Sequence, residues 1–306
     1  MAILLAPLLG GIAYDKAGYY SVYYMAFGMI ILDIILRLLL VEKKVARRWA
    51  NVETPPGRQS EKASEPDEIN RAATETPHSE QAAPSQLGNA TKLLLSSRRL
   101  WAALFCTIIQ AMLLTAWDAV LPLYVNKLFD WHSTGGGLIL LPLILPSFLA
   151  PLVGIWTDRK GPKWPCVIGF LFAIPFLILL RLVDHDGIRQ IVLLCALLAL
   201  VGLASSNAMT PLLAEIAYVV NHKEQTHPGA FGGRGAYATA YGLFNTAFAG
   251  GMLAGPLWSG LVTQKAGWGT MCWTLALPSA LAALGAWLFV GGTAWKVKQG
   301  TSDEEV

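Results

Sequence analysis

Charge is the first scarcity of this chain. Only 14% of its residues are Asp, Glu, Lys or Arg, against about 25% in soluble domains, and mean hydropathy is +0.48. Those values exclude an ordinary water-soluble globule and indicate a membrane protein. Cysteine is also sparse: Cys106, Cys166, Cys195 and Cys272 stand singly in or beside apolar runs. Such spacing excludes a disulfide framework or zinc cluster and predicts plain embedded thiols. No basic region precedes the apolar N-terminus, so a cleavable signal peptide is not expected. Missing too are a phosphate-cradling loop, a nucleophile elbow and a paired-histidine metal motif. Gly232-Gly233-Arg234-Gly235 follows no strand and is no dinucleotide fingerprint. The chain is therefore predicted to be no enzyme, to hold no metal or cofactor, and to bind no nucleic acid.

What is present is a succession of long apolar runs. About 20 mostly apolar residues cross the hydrocarbon core as a helix. Runs of that kind cover residues 19–41, 100–125, 135–156, 164–183, 188–220, 236–263 and 270–291. Residues 1–13 form a shorter one. This predicts an all-α membrane protein with about eight spans, six of them after a central linker. The linker, residues 49–99, is rich in Pro, Ser, Thr and Glu over 49–90, which predicts disorder. It closes in an amphipathic stub over 87–99. Residues 1–48 precede it, a helical unit fills 100–293, and 294–306 form a tail.

Lys43, Lys44, Arg47, Arg48, Arg98 and Arg99 flank the linker, and by the positive-inside rule they place it in the cytoplasm. Alternation then puts Arg159-Lys160, the loop at 223–234 and the C-terminal tail on the same side. Asp15-Lys16, Asn126-Lys127, Asp184-His185-Asp186 and Lys265 fall on the opposite side.

The chain also echoes itself. At one fixed offset Pro7 falls on Pro256, Gly11 on Gly260, and Lys16-Ala17-Gly18 on Lys265-Ala266-Gly267. Two copies of one unit explain such a long period. With the echo in span five of each six-span copy, residues 1–48 are spans five and six of the first. Four spans of that copy are then expected upstream of Met1.

Gly154-Ile-Trp-Thr-Asp158-Arg159-Lys160-Gly161-Pro162-Lys163 lies between the second and third spans after the linker. Glycines allow a tight turn, and the charges either latch helix ends or serve as a plain basic anchor. The arrangement resembles the loop signature of the major facilitator superfamily, with Pro162 where the family often has Arg. Gly255-Pro256 with Gly260 resembles the span-five motif of the superfamily's drug:proton antiporters. Proline removes a backbone hydrogen bond and bends a helix, while glycines permit close packing. Asp33 to Lys44, Ala116 to Leu123 and Met209 to Glu215 look like the vesicular-amine-transporter-like branch of that family.

Ionisable residues inside spans are functional candidates, since burying them costs about 2.5–3.5 kcal/mol. The resemblance implies that Asp118 lines a central cavity and handles cations or protons. The alternative is a hydrated carboxylate near the outer mouth. Glu215 is either a proton-coupling group or a structural acid. Asp33 and Arg37, four residues apart, share a helix face and predict a local ion pair. Alignment on the Gly-Pro motif puts Asn245 where amine-carrying relatives have aspartate, and Asn cannot exchange a proton. Trp117, Tyr241, Phe244 and Phe248 either line the cavity or make packing contacts.

The resemblance thus implies a secondary transporter that exports small organic molecules, amphipathic or cationic, by proton antiport with alternating access. Its setting would be the plasma membrane or a vacuolar or vesicular membrane. The competing expectation is a non-transporting truncated remnant, or an assembly-interfering fragment of such a transporter.

Overall fold

A computed structural model describes residues 2–39, 94–226 and 235–291. Residues 49–93 of the expected linker and the tail at 294–306 lie outside the described residues. Every regular element among those described is helical, and the chain divides into two units. Met1–Lys16 joins Ala82–Val306 in one, and Ala17–Gln81 forms the other.

The described part of the smaller unit is α2 (Tyr19–Leu39), a helix with no buried residue. Its one ion pair is the expected one, with Arg37 Nε 2.8 Å from Asp33 Oδ2 across one helical turn. The larger unit contains α1 (Ala2–Ala17) and α3 (Arg98–Phe129). A broken helix follows: α4 (Ser133–Leu138), α5 (Leu141–Ile144), a 3-10 turn over Leu145–Leu149, and α6 (Ala150–Lys160). Then come α7 (Lys163–Leu179), α8 (Ile188–Thr226), α9 (Gly235–Ala266) and α10 (Trp268–Phe289).

Six helical stretches among the described residues are long and apolar enough to cross a membrane. They are α2, α3, the stretch from α4 to α6, α7 with its 3-10 extension, α8 and α10. Two expected spans stand outside that set for different reasons. α1 is only 16 residues long. α9 has 32 residues, but its many glycines with Asn245, Thr246 and Ser259 dilute its apolar character.

The run expected as one helix over 135–156 breaks because Pro142, Pro146 and Pro151 each lack an N–H. Each proline sits in the first turn of a new piece, where that donor has no intrahelical partner to lose. Helices α6 and α10 are bounded by glycines in a backbone region that only glycine occupies without strain. Gly161 ends α6 at φ 85°, ψ 163°, and Gly267 precedes α10 at φ 83°, ψ 171°.

In lipid, helix association rests on close packing rather than on expelling water, so small residues gather at the contacts. A Cβ on Gly251 would collide with the Ile108 carbonyl, and one on Gly255 would lie 2.6 Å from the Met112 oxygen. The glycine face of α9 thus lies directly on the backbone of α3. Gly169 meets α8 the same way, 2.7 Å from the Ala208 nitrogen. The buried hydroxyls of Thr107 and Thr115 are satisfied within α3, each donating to the carbonyl four residues back. Ser279 instead crosses from α10 to the Phe170 carbonyl of α7 at 2.8 Å. Cys106, Cys166 and Cys272 are buried free thiols and Cys195 is half-buried.

Candidate functional site

Helix α3 presents two neighbouring residues to different surroundings. Trp117 is fully buried, its ring edge-on to Trp268 at 6.0 Å. Asp118 faces the other way and lines a cavity of about 720 Å³. Pro122 and Asn126, one and two turns further along α3, continue that wall. Tyr14 of α1 and the segment from Trp131 to Leu140 close the rest.

The cavity exists because α1 docks on the start of α4. A Cβ at Gly11 would lie 2.7 Å from the Ser133 oxygen, so only glycine permits the approach. One turn on, Asp15 Oδ2 accepts the Thr134 N–H at 2.7 Å and the Thr134 hydroxyl at 2.5 Å. The Thr134 side chain, then its N–H, hold the Asp15 carboxyl below the ordinary range. A carboxylate from another helix thus satisfies α4 where its own His132 makes no cap.

Glu215 occupies a different place. It is wholly buried in α8, and Oε1 receives Arg99 Nη2 at 2.6 Å and Nε at 2.9 Å. The Gly291 N–H donates to the same oxygen at 3.4 Å, while Oε2 has no partner. Arg99 opens α3 and Gly291 follows α10, so this carboxylate ties two helix ends to the body of α8. Asp118 lies 19 residues after Arg99 on α3, roughly 28 Å along the axis at 1.5 Å per residue. The two carboxylates do not share a cavity.

Tyr241 and Asn245, one turn apart on α9, are both exposed and are not part of the Asp118 cavity. Phe244 is buried against α3 and α8, and it stacks on Phe248 at 6.1 Å. Trp117 and Phe244 are therefore packed in the interior, and neither lines the Asp118 cavity. In the Asp-Arg-Gly loop, Asp158, Arg159 and Lys160 are exposed. None of them, nor Lys163, enters an ion pair among the described residues. Gly154 has only the Thr210 methyl nearby, at 3.9 Å. Gly161 shapes the turn, and Lys163 backs onto Gly291, whose Cβ would lie 2.6 Å from that of Lys163. Of the helix-bend set, Pro256 and Pro7 lie inside α9 and α1. Gly255 packs tightly, and Gly260 faces open space beside a second cavity of about 350 Å³.

Sequence reasoning missed two contributors. Arg99 reads as a positive-inside anchor, and nothing local links it to a glutamate 116 residues away. The Asp15–Thr134 contact spans 119 residues, and its only sequence signal is an acid in an outer turn.

A profile of the Major Facilitator Superfamily matches the chain over residues 1–234 and 146–304. The chain belongs to the major facilitator superfamily. It is similar to the MFS-type transporter ppzB of Metarhizium majus (strain ARSEF 297), with 30% identity over 320 residues. That match covers 95% of this chain and 70% of that protein. An uncharacterized MFS-type transporter, C18.02, of Schizosaccharomyces pombe is 26% identical over 269 residues, covering 86% and 58%. The fosmidomycin resistance protein of Escherichia coli (strain K12) is 29% identical over 166 residues, covering 54% and 36%. The chain thus spans between 36% and 70% of the lengths of these three relatives. Membership in the superfamily makes this an all-α, multi-pass membrane protein of a transporter family.

Proposed function

We propose that the chain works in secondary active transport, exporting small organic molecules by alternating access against an inward flow of protons. The observation that carries this is the cavity between α1 and the later helices, with Asp118 on its wall. A carboxylate in an apolar helix is retained at a cost of about 2.5–3.5 kcal/mol, which argues for a cation or proton as its partner. Tyr14, Trp131 and His132 add aromatic surface to the same cavity, suiting an amphipathic or cationic substrate. The E. coli relative is named for resistance to a drug, in keeping with export and with the drug:proton antiporter branch. Glu215, held by Arg99, is assigned to anchoring helix ends rather than to carrying protons. Tyr241 and Asn245 face the substrate path from α9, and the loop of Asp158, Arg159 and Lys163 gates its cytoplasmic side. The linker and C-terminus are placed in the cytoplasm, and the membrane is plasma, vacuolar or vesicular.

Uptake of lipophilic cations into inverted vesicles, with proton release from the lumen followed by a pH-sensitive dye, tests the reading. Asp118→Asn should cut substrate-induced proton movement at least tenfold, and Asp118→Glu should restore most of it. Equal proton movement in the Asn variant would overturn the assignment.

A further inference from the structure

We propose that the groove between α7 and α10 is a binding site for one acyl chain of an anionic phospholipid. Trp164, Val167, Leu171 and Ile174 of α7 face Ala280, Ala283, Leu284 and Trp287 of α10 across a cleft of about 430 Å³. The helices run antiparallel. Lys163 backs onto Gly291 at one end, and Arg181 approaches Gly269 at the other. Buried Val167 and Ala283 floor the cleft while the exposed Leu171, Leu284 and the two tryptophans raise its rims, and no charged side chain lines it. Its chemistry fits a hydrocarbon chain and no charged or hydrogen-bonding solute.

Its length and its ends give the ligand a direction. Trp164 and Ile174 are ten residues apart, about 15 Å along the helix, which is half of the roughly 30 Å hydrocarbon core. The groove therefore runs from one interface to the bilayer centre, the depth of a single leaflet. Both tryptophans stand at the same end and are half-exposed, as indoles at the headgroup level are. That end is also cationic. Lys163 begins α7, and Arg159 and Lys160 close α6 just before the Gly161 turn, all with exposed or half-exposed side chains. Asp158 is the one carboxylate in the turn, so three cations face one anion where the headgroup phosphate would sit. The paired charge nearby, Arg99 with Glu215, is already matched.

The proposal rests on insertion in a bilayer and not on transport, so it is tested without a substrate. The full chain is reconstituted in phosphatidylcholine vesicles carrying a small fraction of brominated-chain phosphatidylglycerol or, separately, brominated-chain phosphatidylcholine. Bromine quenches nearby indoles, and the Trp164→Phe/Trp287→Phe variant isolates the groove signal from the other tryptophans. Quenching of that component should favour phosphatidylglycerol. The preference should fall by roughly fivefold for each lysine removed in Lys160→Gln and Lys163→Gln, a surface lysine adding about that much to anionic-lipid binding. Ala283→Phe, which fills the cleft, should lower quenching by both lipids. Equal quenching by the two lipids would overturn the proposal. So would a preference that survives loss of both lysines, or quenching unchanged by Ala283→Phe.

Discussion

Asp118 and Glu215 are both carboxylates on apolar helices, and their neighbours give them different work. Asp118 opens onto a cavity; Glu215 is clasped by Arg99. Removing one partner of a buried pair leaves an unmatched charge, which costs about 3–5 kcal/mol. Arg99→Ala should therefore destabilise the chain by roughly that amount, whereas the double change Arg99→Met/Glu215→Leu should cost much less. Reversible unfolding in mixed micelles compares the two. Asp15 gives a pH prediction of definite sign. Its carboxyl is held low by Thr134, so the contact is intact above the ordinary carboxylate pKa of about 3.9. It weakens only as pH falls through the lowered value. A distance between spin labels flanking residues 15 and 134 should stay constant from neutral pH to about 5 and lengthen only in stronger acid. That Asp118 stands out was legible from one acid in an apolar run. That Glu215 already has one was not, because the arginine lies on another helix.

At the scale of elements, glycine separates helix contact from helix ends. Gly251 and Gly255 lie against the α3 backbone, whereas Gly260 meets nothing. Gly255→Val should force α9 away from α3 and cost several-fold in folded yield, and Gly260→Ala should change stability by no more than about 1 kcal/mol. Solubilised yield and thermal denaturation measure both. Gly161→Ala places a Cβ in a glycine-only region and should cost about 1–3 kcal/mol. The six candidate spans were readable from apolar length alone, because helix length is set by bilayer thickness. The division into α4, α5 and α6 was not, although Pro142, Pro146 and Pro151 were in plain view. Proline is tolerated inside α3, α7, α8, α9 and α10, so its presence alone does not locate a break.

For the whole molecule, composition announced the class. The fold class follows from scarce charge and long apolar runs. The cavity was not legible, since it forms where Gly11 and Asp15 meet residues more than a hundred positions away. The echo itself becomes concrete in the backbone. α1 ends at Ala17 and α2 starts at Tyr19; α9 ends at Ala266 and α10 starts at Trp268. The glycines between them, Gly18 and Gly267, take φ of 79° and 83°. Neither would meet a neighbour if it carried a Cβ, so each glycine is required by its torsion and not by crowding. A requirement set by torsion alone is local to the backbone. Residues 16–18 and 265–267 are the same three letters, Lys-Ala-Gly, so exchanging them leaves the sequence unchanged and one tripeptide supplies the positive φ at both helix junctions.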